Sequence, residues 1–161
     1  MINICLNENL KKALSSNNVS VKDYIPAYNG ESAGLDLYNA GNNITILPQT
    51  VLPKNNKTLI GTGLKMKVPK GYVALIQERG SITKTPLKVR AGVIDSGYTG
   101  EVFVNLINTG SEEYTLNSNE KLPVQVVVVK CDNEFSVVDE DEYLNITDSS
   151  MRKSGKIGSS D

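Results

Sequence analysis

The sequence predicts an all-β domain, either a sandwich or a barrel, and three observations support this. Short runs rich in valine, isoleucine and threonine recur along the chain, and these residue types favour strands. Clusters of glycine, proline, asparagine and serine separate the runs and are typical of turns. Evidence for helices is thin. Many short strands at close spacing are characteristic of sandwiches and barrels.

The elements are predicted in chain order. Leu6, Leu10 and Leu14 lie four residues apart in "LNENLKKAL", but one short turn explains this spacing as well as a helix does. Five runs are predicted to be strands: 45–53, 58–69, 71–77, 101–108 and 124–130. In "LKMKV" (64–68) apolar residues alternate with lysines, which predicts one buried and one exposed face. Four consecutive valines, 126–129, predict a strand covered on both faces.

The composition excludes several functional classes. The 161 residues suffice for one domain. A net charge of −1 and a pI of about 5.6 predict no nucleic-acid partner, because surfaces that bind nucleic acid are basic. No run of 18 apolar residues occurs, which predicts no membrane span, and the N-terminus lacks the pattern of a signal peptide.

Histidine is absent from the sequence, which excludes Ser-His and Cys-His catalysis and histidine metal ligation. Acid–base chemistry must therefore use carboxylates, tyrosine, lysine or water. The two cysteines, Cys5 and Cys131, lie in apolar surroundings and are expected to be buried free thiols. Such thiols suit a reducing intracellular compartment, cytoplasmic or nuclear.

The tail, residues 147–161, differs in composition from the preceding chain. Its apolar residues are Met151 and Ile157, and the others are small or polar, so the tail cannot order itself by burial. The folded domain is therefore predicted to span residues 1–146. The tail is either a frayed terminus or a mobile arm that orders on a ligand, with glycine N–H groups and Arg152 around phosphates.

Four stretches together carry a family resemblance. They are "ESAGLDLYNA" (31–40), "QERGSITK" (77–84), "AGVIDSGYTGE" (91–101) and "RKSGKIGSSD" (152–161). The first and third resemble signature motifs of the homotrimeric dUTPase family, and the third is highly specific. The second and the tail resemble the second and fifth motifs of that family, with moderate specificity.

The resemblance implies a jelly-roll-like distorted β-barrel with a flexible C-terminal arm. It also implies a homotrimer with three active sites, each at a subunit interface. The implied reaction is hydrolysis of dUTP to dUMP and pyrophosphate, with Mg²⁺ on the triphosphate. This reaction limits uracil in DNA and supplies dUMP for dTTP synthesis.

The third motif would then be a β-hairpin that receives the deoxyuridine. Asp95 would orient or activate the attacking water and bond the 3′-hydroxyl, and such a positioned acceptor is worth roughly 10²–10⁴ in rate. Tyr98 would lie under the sugar and reject a 2′-hydroxyl by a clash. The main chain at Gly92, Val93 and Phe103 would read the uracil edge, and Ile94 completes the expected nucleoside contacts.

The other motifs would hold the phosphates. Arg79 and Ser81, with the backbone of Gly80, would bind phosphate oxygens, and Asp36 would reach Mg²⁺ through water or orient Arg152. Without the other motifs, a solvent-facing strand end explains Asp36, and a surface ion pair with Glu78 explains Arg79. The arm residues expected to bind substrate are Arg152, Gly155, Ile157, Gly158 and Ser159.

The chain departs from the family pattern in the second and fourth motifs. The family usually has Arg-Ser-Gly where this chain has "RGS" (79–81), which moves the hydroxyl by one residue. The fourth motif, roughly Gly-Asp-Arg-Ile-Ala-Gln, corresponds to "NEKLPVQ" (119–125). Without a gap, Lys121 replaces the arginine and Val124 the glutamine, and Gln125 faces the other way. A one-residue bulge would restore Gln125, and the sequence leaves both alternatives open.

The arm carries a further departure. Ile157 stands where the family has a phenylalanine that stacks over uracil. Stacking of an aromatic ring on a base is worth roughly 1–3 kcal/mol. Weaker substrate binding and weaker ordering of the arm are expected, rather than loss of activity.

Two other functions compete with this interpretation. A dCTP deaminase shares the fold and a similar hairpin, but it would need a catalytic glutamate where this chain has Asn105, and asparagine cannot transfer protons. A catalytically weakened interaction or regulatory protein on the same scaffold is the second alternative, because a fold does not determine a function. The altered motifs favour it, and the intact Asp36, Asp95, Tyr98 and Arg152 argue against it.

Overall fold

A computed structural model describes residues 2–25, 32–49, 58–132 and 134–147. In these ranges the strands are β1 (Asn3–Leu6), β2 (Gly34–Tyr38), β3 (Ile44–Ile46), β4 (Leu59–Lys67), β5 (Tyr72–Glu78), β6 (Leu87–Arg90), β7 (Val93–Ile94), β8 (Glu101–Asn108), β9 (Tyr114–Leu116) and β10 (Lys121–Lys130). The α-helices are α1 (Glu8–Ser16), α2 (Val21–Tyr24) and α3 (Glu140–Thr147), and a 3₁₀ helix spans Gly80–Lys84.

The strands form two four-stranded antiparallel sheets and one two-stranded sheet. The first sheet has the order β1-β4-β8-β6, the second β2-β10-β5-β7, and the third pairs β3 with β9. One hydrophobic core receives side chains from both large sheets, such as Leu64 and Val104 from the first and Ile76 and Val126 from the second. The predicted all-β class is confirmed, with sheets that stay open in the described ranges rather than closing into one barrel.

Three of the predicted strands form close to the expected limits, namely β4, β5 and β8. The alternation in "LKMKV" (64–68) is confirmed, because the apolar residues are buried and both lysines are exposed. The run 45–53 was predicted too long: the strand covers Ile44–Ile46, and residues 50–53 lie outside the described ranges.

The expectation that Val126–Val129 are covered on both faces is wrong at the end of the strand. Val126 is 2% exposed, whereas Val129 is 38% exposed. The end of β10 also lacks a neighbouring strand along one edge, because β10 pairs with β5 as far as Lys130 but with β2 only as far as Val127. The last residues of β10 therefore have a strand on one side only.

The leucine spacing near the start produces a helix rather than a single turn. The Asn7 side chain caps α1 by accepting the Leu10 N–H at 2.9 Å. Leu10, Ala13 and Leu14 are buried against the core, so burial of one face stabilises this nine-residue helix. None of the helices in the described ranges has the length and apolar character needed to cross a bilayer.

The third motif is not a hydrogen-bonded hairpin, contrary to the expectation. In the described ranges β7 pairs with β5 of the second sheet, whereas β8 pairs with β4 and β6 of the first. The segment from Asp95 to Gly100 therefore crosses from one sheet to the other. The turn lies at the rim of the core, where both sheets can contribute to a cavity.

The expectation of buried thiols is also wrong. Cys5 is exposed, because it lies on the edge strand β1 and pairs with the outward-facing Lys65. Cys131 follows directly after β10 and is half-buried. Both cysteines lie in the described ranges, and they are not joined in a disulfide.

Candidate active site

The third motif lines an open cavity of about 220 Å³. The lining residues are Ile76, Ala91, Gly92, Val93, Ile94, Asp95, Tyr98, Val102 and Phe103. All of the third-motif residues expected to bind the nucleoside are in this set. Apolar walls with one carboxylate at the rim are suited to a flat, partly polar ring system.

Two adjacent residues with positive φ shape the floor of this cavity. Ala91 has φ +57° and Gly92 has φ +139°. The Gly92 carbonyl oxygen accepts the Ile76 N–H at 2.8 Å, and a Cβ at position 92 would lie 3.1 Å from the Ile76 carbonyl oxygen. Glycine is therefore required here both for its φ and for the close approach to β5.

A tight turn places Asp95 and Tyr98 at the rim. The Tyr98 N–H donates to the Asp95 carbonyl oxygen at 3.0 Å, and the Tyr98 hydroxyl donates to the Glu101 carbonyl oxygen at 2.6 Å. The ring is thereby folded back over Gly100. Asp95 remains exposed at the cavity mouth, so its carboxylate is accessible to water and to a ligand.

The first and second motifs meet through an ion pair. The Arg79 Nε lies 2.7 Å from the Asp36 Oδ1, and the Lys121 Nζ lies 2.5 Å from the Asp36 Oδ2. The interpretation of Arg79 as a surface partner of Glu78 is wrong, because Glu78 pairs instead with Lys88 at 3.6 Å. Asp36 is likewise not a solvent-facing strand end, because it lies in the middle of β2 and both of its carboxylate oxygens contact cations.

The start of β10 decides between the two alternatives for the fourth motif. Lys121 pairs with Tyr38, but Gln125 pairs with Asp36. Between these two pairs β10 advances by four residues, whereas β2 advances by two. This irregularity places Gln125 beside Asp36, and directly paired residues project from the same face of a sheet. Val124 is fully buried in the core. The register therefore departs from the ungapped alternative, but between these two pairs β10 gains two residues over β2 rather than the single residue of the expected bulge.

The second-motif residues after Arg79 form a short 3₁₀ helix at the end of β5. Gly80 opens it and Ser81 is exposed on it. A Cβ at position 80 would meet no atom within 4 Å, so Gly80 is not required by packing. The arm residues Arg152, Gly155, Ile157, Gly158 and Ser159 lie outside the described ranges.

The two groups of predicted site residues do not meet within one chain. Asp36, Gln125 and Gln77 lie in one row across the second sheet, and β7 is three strands away from β2. Asp95 directly follows β7, so Asp36 and Asp95 belong to opposite edges of this sheet, and they line separate cavities. Each chain thus carries the cavity of the third motif and, apart from it, a charged cluster formed by Asp36, Arg79 and Lys121.

Sequence reasoning missed the contacts that surround Asp36. Lys121 lies 6.0 Å from the centroid of the Tyr38 ring, and the Tyr24 and Tyr38 rings are 6.1 Å apart. Burial, and to a lesser degree the Asp36 carboxylate, raise the pKa of Tyr38, while Arg79 lowers it. The sequence signal available for these contacts was Lys121, which stands where the fourth motif of the resembled family has an arginine.

A second cavity of about 210 Å³ lies behind this cluster. Residues around α2 and the strand β2 line it, including Asp23, Tyr24, Asp36, Tyr38 and Lys121. In the described ranges no cluster of three or more His, Cys, Asp or Glu side chains could bind a metal ion. A metal at Asp36 would therefore need further ligands from substrate or water.

The chain is similar to known proteins of the family that its motifs resemble. The profile of the dUTPase family matches residues 21–161. The chain is 35% identical over 144 residues to the deoxyuridine 5′-triphosphate nucleotidohydrolase of Escherichia phage T5, which covers 86% of this chain and 92% of the phage protein. It is 37% identical over 125 residues to the protein of the same name from Burkholderia cenocepacia, with 74% and 81% covered.

Solved structures share the fold. The dUTPase of Staphylococcus bacteriophage 80alpha, determined with dUPNHPP, has a TM-score of 0.70 at 22% identity, with 100% of this chain and 98% of that chain covered. A mutant dUTPase from phage phi11 of S. aureus, described with a structural Mg(II) ion, has a TM-score of 0.65 at 24% identity, with 88% and 99% covered.

Proposed function

The chain belongs to the dUTPase family, and on that premise we propose that it hydrolyses dUTP to dUMP and pyrophosphate. The observation that carries the proposal is the cavity of the third motif, whose apolar wall ends in the exposed Asp95 beside Tyr98. The reaction limits the incorporation of uracil into DNA and supplies dUMP for dTTP synthesis.

The chemical step assigned to Asp95 is the alignment of water. The carboxylate accepts a proton from a water molecule while the water oxygen bonds to the α-phosphorus. The bond from the α-phosphorus to the bridging oxygen breaks, and pyrophosphate leaves with the electron pair. The exposed position of Asp95 at the cavity mouth supports this role, since a general base must reach the water it activates.

The nucleoside is assigned to the cavity itself. Gly92, Val93 and Phe103 line this cavity, and main-chain groups at Val93 and Phe103 are assigned to the pyrimidine edge, because backbone N–H and C=O groups commonly fix the orientation of a ligand. Ile94 is 8% exposed and closes the wall. Tyr98 stands at the rim, where its ring would clash with a ribose 2′-hydroxyl.

The phosphates are assigned to Arg79, to the backbone of Gly80 and to the Ser81 hydroxyl. The arm residues assigned to them are Arg152, Gly155, Gly158 and Ser159. An arginine guanidinium is the preferred partner of phosphate oxygens. Ile157 is assigned to cover the base.

Magnesium fits this site only as an ion carried by the substrate. Both oxygens of Asp36 already contact cations, so a hydrated ion held through water suits the carboxylate better than a direct ligand does. When bound, Mg²⁺ supplies positive charge that offsets charge on the phosphates.

A homotrimer with shared sites would account for the separation of Asp95 and Asp36, which belong to opposite edges of the second sheet and line separate cavities. A neighbouring chain would supply the half of the site that each cavity lacks. Exposed apolar residues support such contacts: Leu59, Phe103, Phe135 and Val137 are exposed by 46% or more. Association would bury them.

Both competing functions have less support. The position that a deaminase would need for its glutamate holds Asn105, in the middle of β8. A purely regulatory protein does not require a carboxylate at the cavity mouth or a paired arginine. The curated relatives carry hydrolase names.

The test is the release of pyrophosphate from dUTP in the presence of Mg²⁺. Asp95→Asn should lower kcat about 10²–10⁴-fold, whereas Glu113→Gln, which removes an exposed carboxylate elsewhere, should not. A wild-type protein no faster than Asp95→Asn would favour the regulatory function. Release of ammonia from dCTP would favour the deaminase.

Shared sites are tested by complementation. Asp95→Asn and Arg79→Ala should each be inactive as pure proteins. Trimers assembled from a mixture of the two should regain part of the activity, because some interfaces then combine an intact Asp95 with an intact Arg79. Absence of regain in assembled mixtures would contradict a site built from two chains.

A further inference from the structure

Asp36 lies between two cations of different origin. Arg79 comes from the end of β5 and contacts Oδ1, whereas Lys121 comes from the start of β10 and contacts Oδ2. The side chains of Asp36 and Arg79 are each 27% exposed and that of Lys121 is 38% exposed. Because these charges are partly buried, solvent and salt screen the attraction between them less than they screen a fully exposed pair. The strength of each pair therefore depends on its geometry.

The start of β10 is connected to Arg79 in two ways. The Arg79 N–H donates to the Pro123 carbonyl oxygen at 2.9 Å, which fixes the main chain of Arg79. Lys121 contacts Asp36, which in turn contacts the Arg79 side chain. The irregular segment of β10 lies between Lys121 and Gln125. One short segment therefore holds both the backbone and the side chain of Arg79.

The orientation of the guanidinium follows from these contacts. The ion pair uses Nε, which lies at one edge of the planar group. The opposite edge still carries N–H donors in the fork geometry that suits a phosphate. If Asp36 swung away from this position, the fork would lose its fixed direction.

We propose that Lys121 is a positioning residue for phosphate binding, which acts on Arg79 through Asp36. Asp36 carries one negative charge, and Arg79 and Lys121 carry one positive charge each. The three side chains together therefore keep a net charge of +1, which attracts an anionic substrate. The Tyr38 ring, 6.0 Å from Nζ, helps to hold the lysine in place. This inference rests on the proposed function.

Lys121→Met tests the inference, because methionine keeps the length of the side chain and removes the charge. The KM for dUTP should rise about three- to fivefold with a smaller change in kcat, as expected for a partly exposed pair. Competitive inhibition by deoxyuridine, which carries no phosphate, should be unchanged. Lys121→Arg should restore most of the lost affinity.

Lys88→Met is the matched control. Lys88 is an exposed lysine that pairs with Glu78, the residue before Arg79, and it is not one of the cations that contact Asp36 in the described part of the chain. Its KM should stay within twofold of the wild-type value. Unfolding temperatures of all variants establish that they are folded, and Lys121→Gln replaces the methionine variant if that variant does not fold.

Three results would overturn the inference: an unchanged KM in Lys121→Met, an arginine variant no better than the methionine variant, or an equal loss in Lys88→Met. Each of them presupposes a wild-type protein that hydrolyses dUTP. A wild-type protein without that activity contradicts the proposed function instead, so the two failures are distinguishable.

Discussion

Gly92 lies directly against the main chain of Ile76. Its carbonyl oxygen accepts the Ile76 N–H at 2.8 Å, and a Cβ on residue 92 would come within 3.1 Å of the Ile76 carbonyl oxygen and 3.3 Å of the Ile76 Cβ. This contact joins the floor of the third-motif cavity to β5, the strand that ends at Glu78, one residue before Arg79. Within one chain, β5 therefore connects the cavity of the third motif with the residues of the second motif.

Gly92→Ala should therefore lower both stability and activity. The positive φ and the crowding against Ile76 predict a loss of about 1–3 kcal/mol in the free energy of unfolding. Gly97→Ala is the control, because a Cβ there meets no atom within 4 Å. Urea unfolding measures both variants, and an equal loss in the two would contradict the role of the Gly92–Ile76 contact.

Tyr98 should control discrimination against ribonucleotides. Tyr98→Ala is expected to raise the ratio of kcat/KM for UTP to that for dUTP about tenfold or more, because it removes the ring that would clash with a 2′-hydroxyl. Tyr72→Ala serves as control, since Tyr72 and Tyr98 are both 42% exposed and Tyr72 lies outside the cavity. An unchanged ratio would remove Tyr98 from the proposed specificity.

Tyr24 should make the protein sensitive to alkali. Its hydroxyl is buried and has no hydrogen-bond partner in the described part of the chain. Burial raises its pKa well above the ordinary value of a tyrosine. The folded protein then holds this proton more tightly than the unfolded chain does, so the stability from Tyr24 is full below about pH 10 and declines as pH rises beyond that.

Tyr24→Phe should reduce the slope of stability against pH above about pH 10. At pH 7 the free energy of unfolding should stay equal or rise by up to about 1 kcal/mol, because an unpartnered hydroxyl is removed. Urea unfolding at pH 7 and in the alkaline range measures the free energy of unfolding of the variant. Tyr72→Phe, at an exposed tyrosine, serves as the reference. A loss of more than about 1 kcal/mol at pH 7 would indicate that the hydroxyl has a partner.

Asn108 should be one of the residues most sensitive to substitution. Its side chain is fully buried, donates to the carbonyl oxygens of Ile46 at 3.0 Å and Glu112 at 2.7 Å, and accepts the Gly110 N–H at 2.9 Å. Asn108→Ala leaves these main-chain groups without partners and should cost about 2–4 kcal/mol. Asn105→Ala, at a half-buried position of the same strand, should cost less than about 1 kcal/mol.

Ile157→Phe should improve substrate binding. Restoring an aromatic ring over the base is worth roughly 1–3 kcal/mol, so the KM for dUTP should fall several-fold while kcat changes less. Initial rates over a range of dUTP concentrations measure this. An unchanged KM would contradict the placement of residue 157 over the base.

Much of the molecule was predictable from local patterns. The alternation in "LKMKV" (64–68) follows from the two-residue period of a strand and needs no knowledge of neighbouring strands. The third motif was recognisable because its carboxylate, glycines and tyrosine are adjacent in sequence, and the same residues line one cavity. The family followed from these motifs, and the match over residues 21–161 confirms it.

Contacts between distant segments required the tertiary structure. Asp36 and Lys121 are 85 positions apart in sequence, and only the pairing of β2 with β10 brings them together. The turn after Asp95 looked like a hairpin because sequence shows adjacency but not the sheet that each strand joins. Local patterns in the sequence determined the fold class and the motifs, whereas strand order and register decided which charges meet, because a one-residue shift in register sends every side chain to the opposite face.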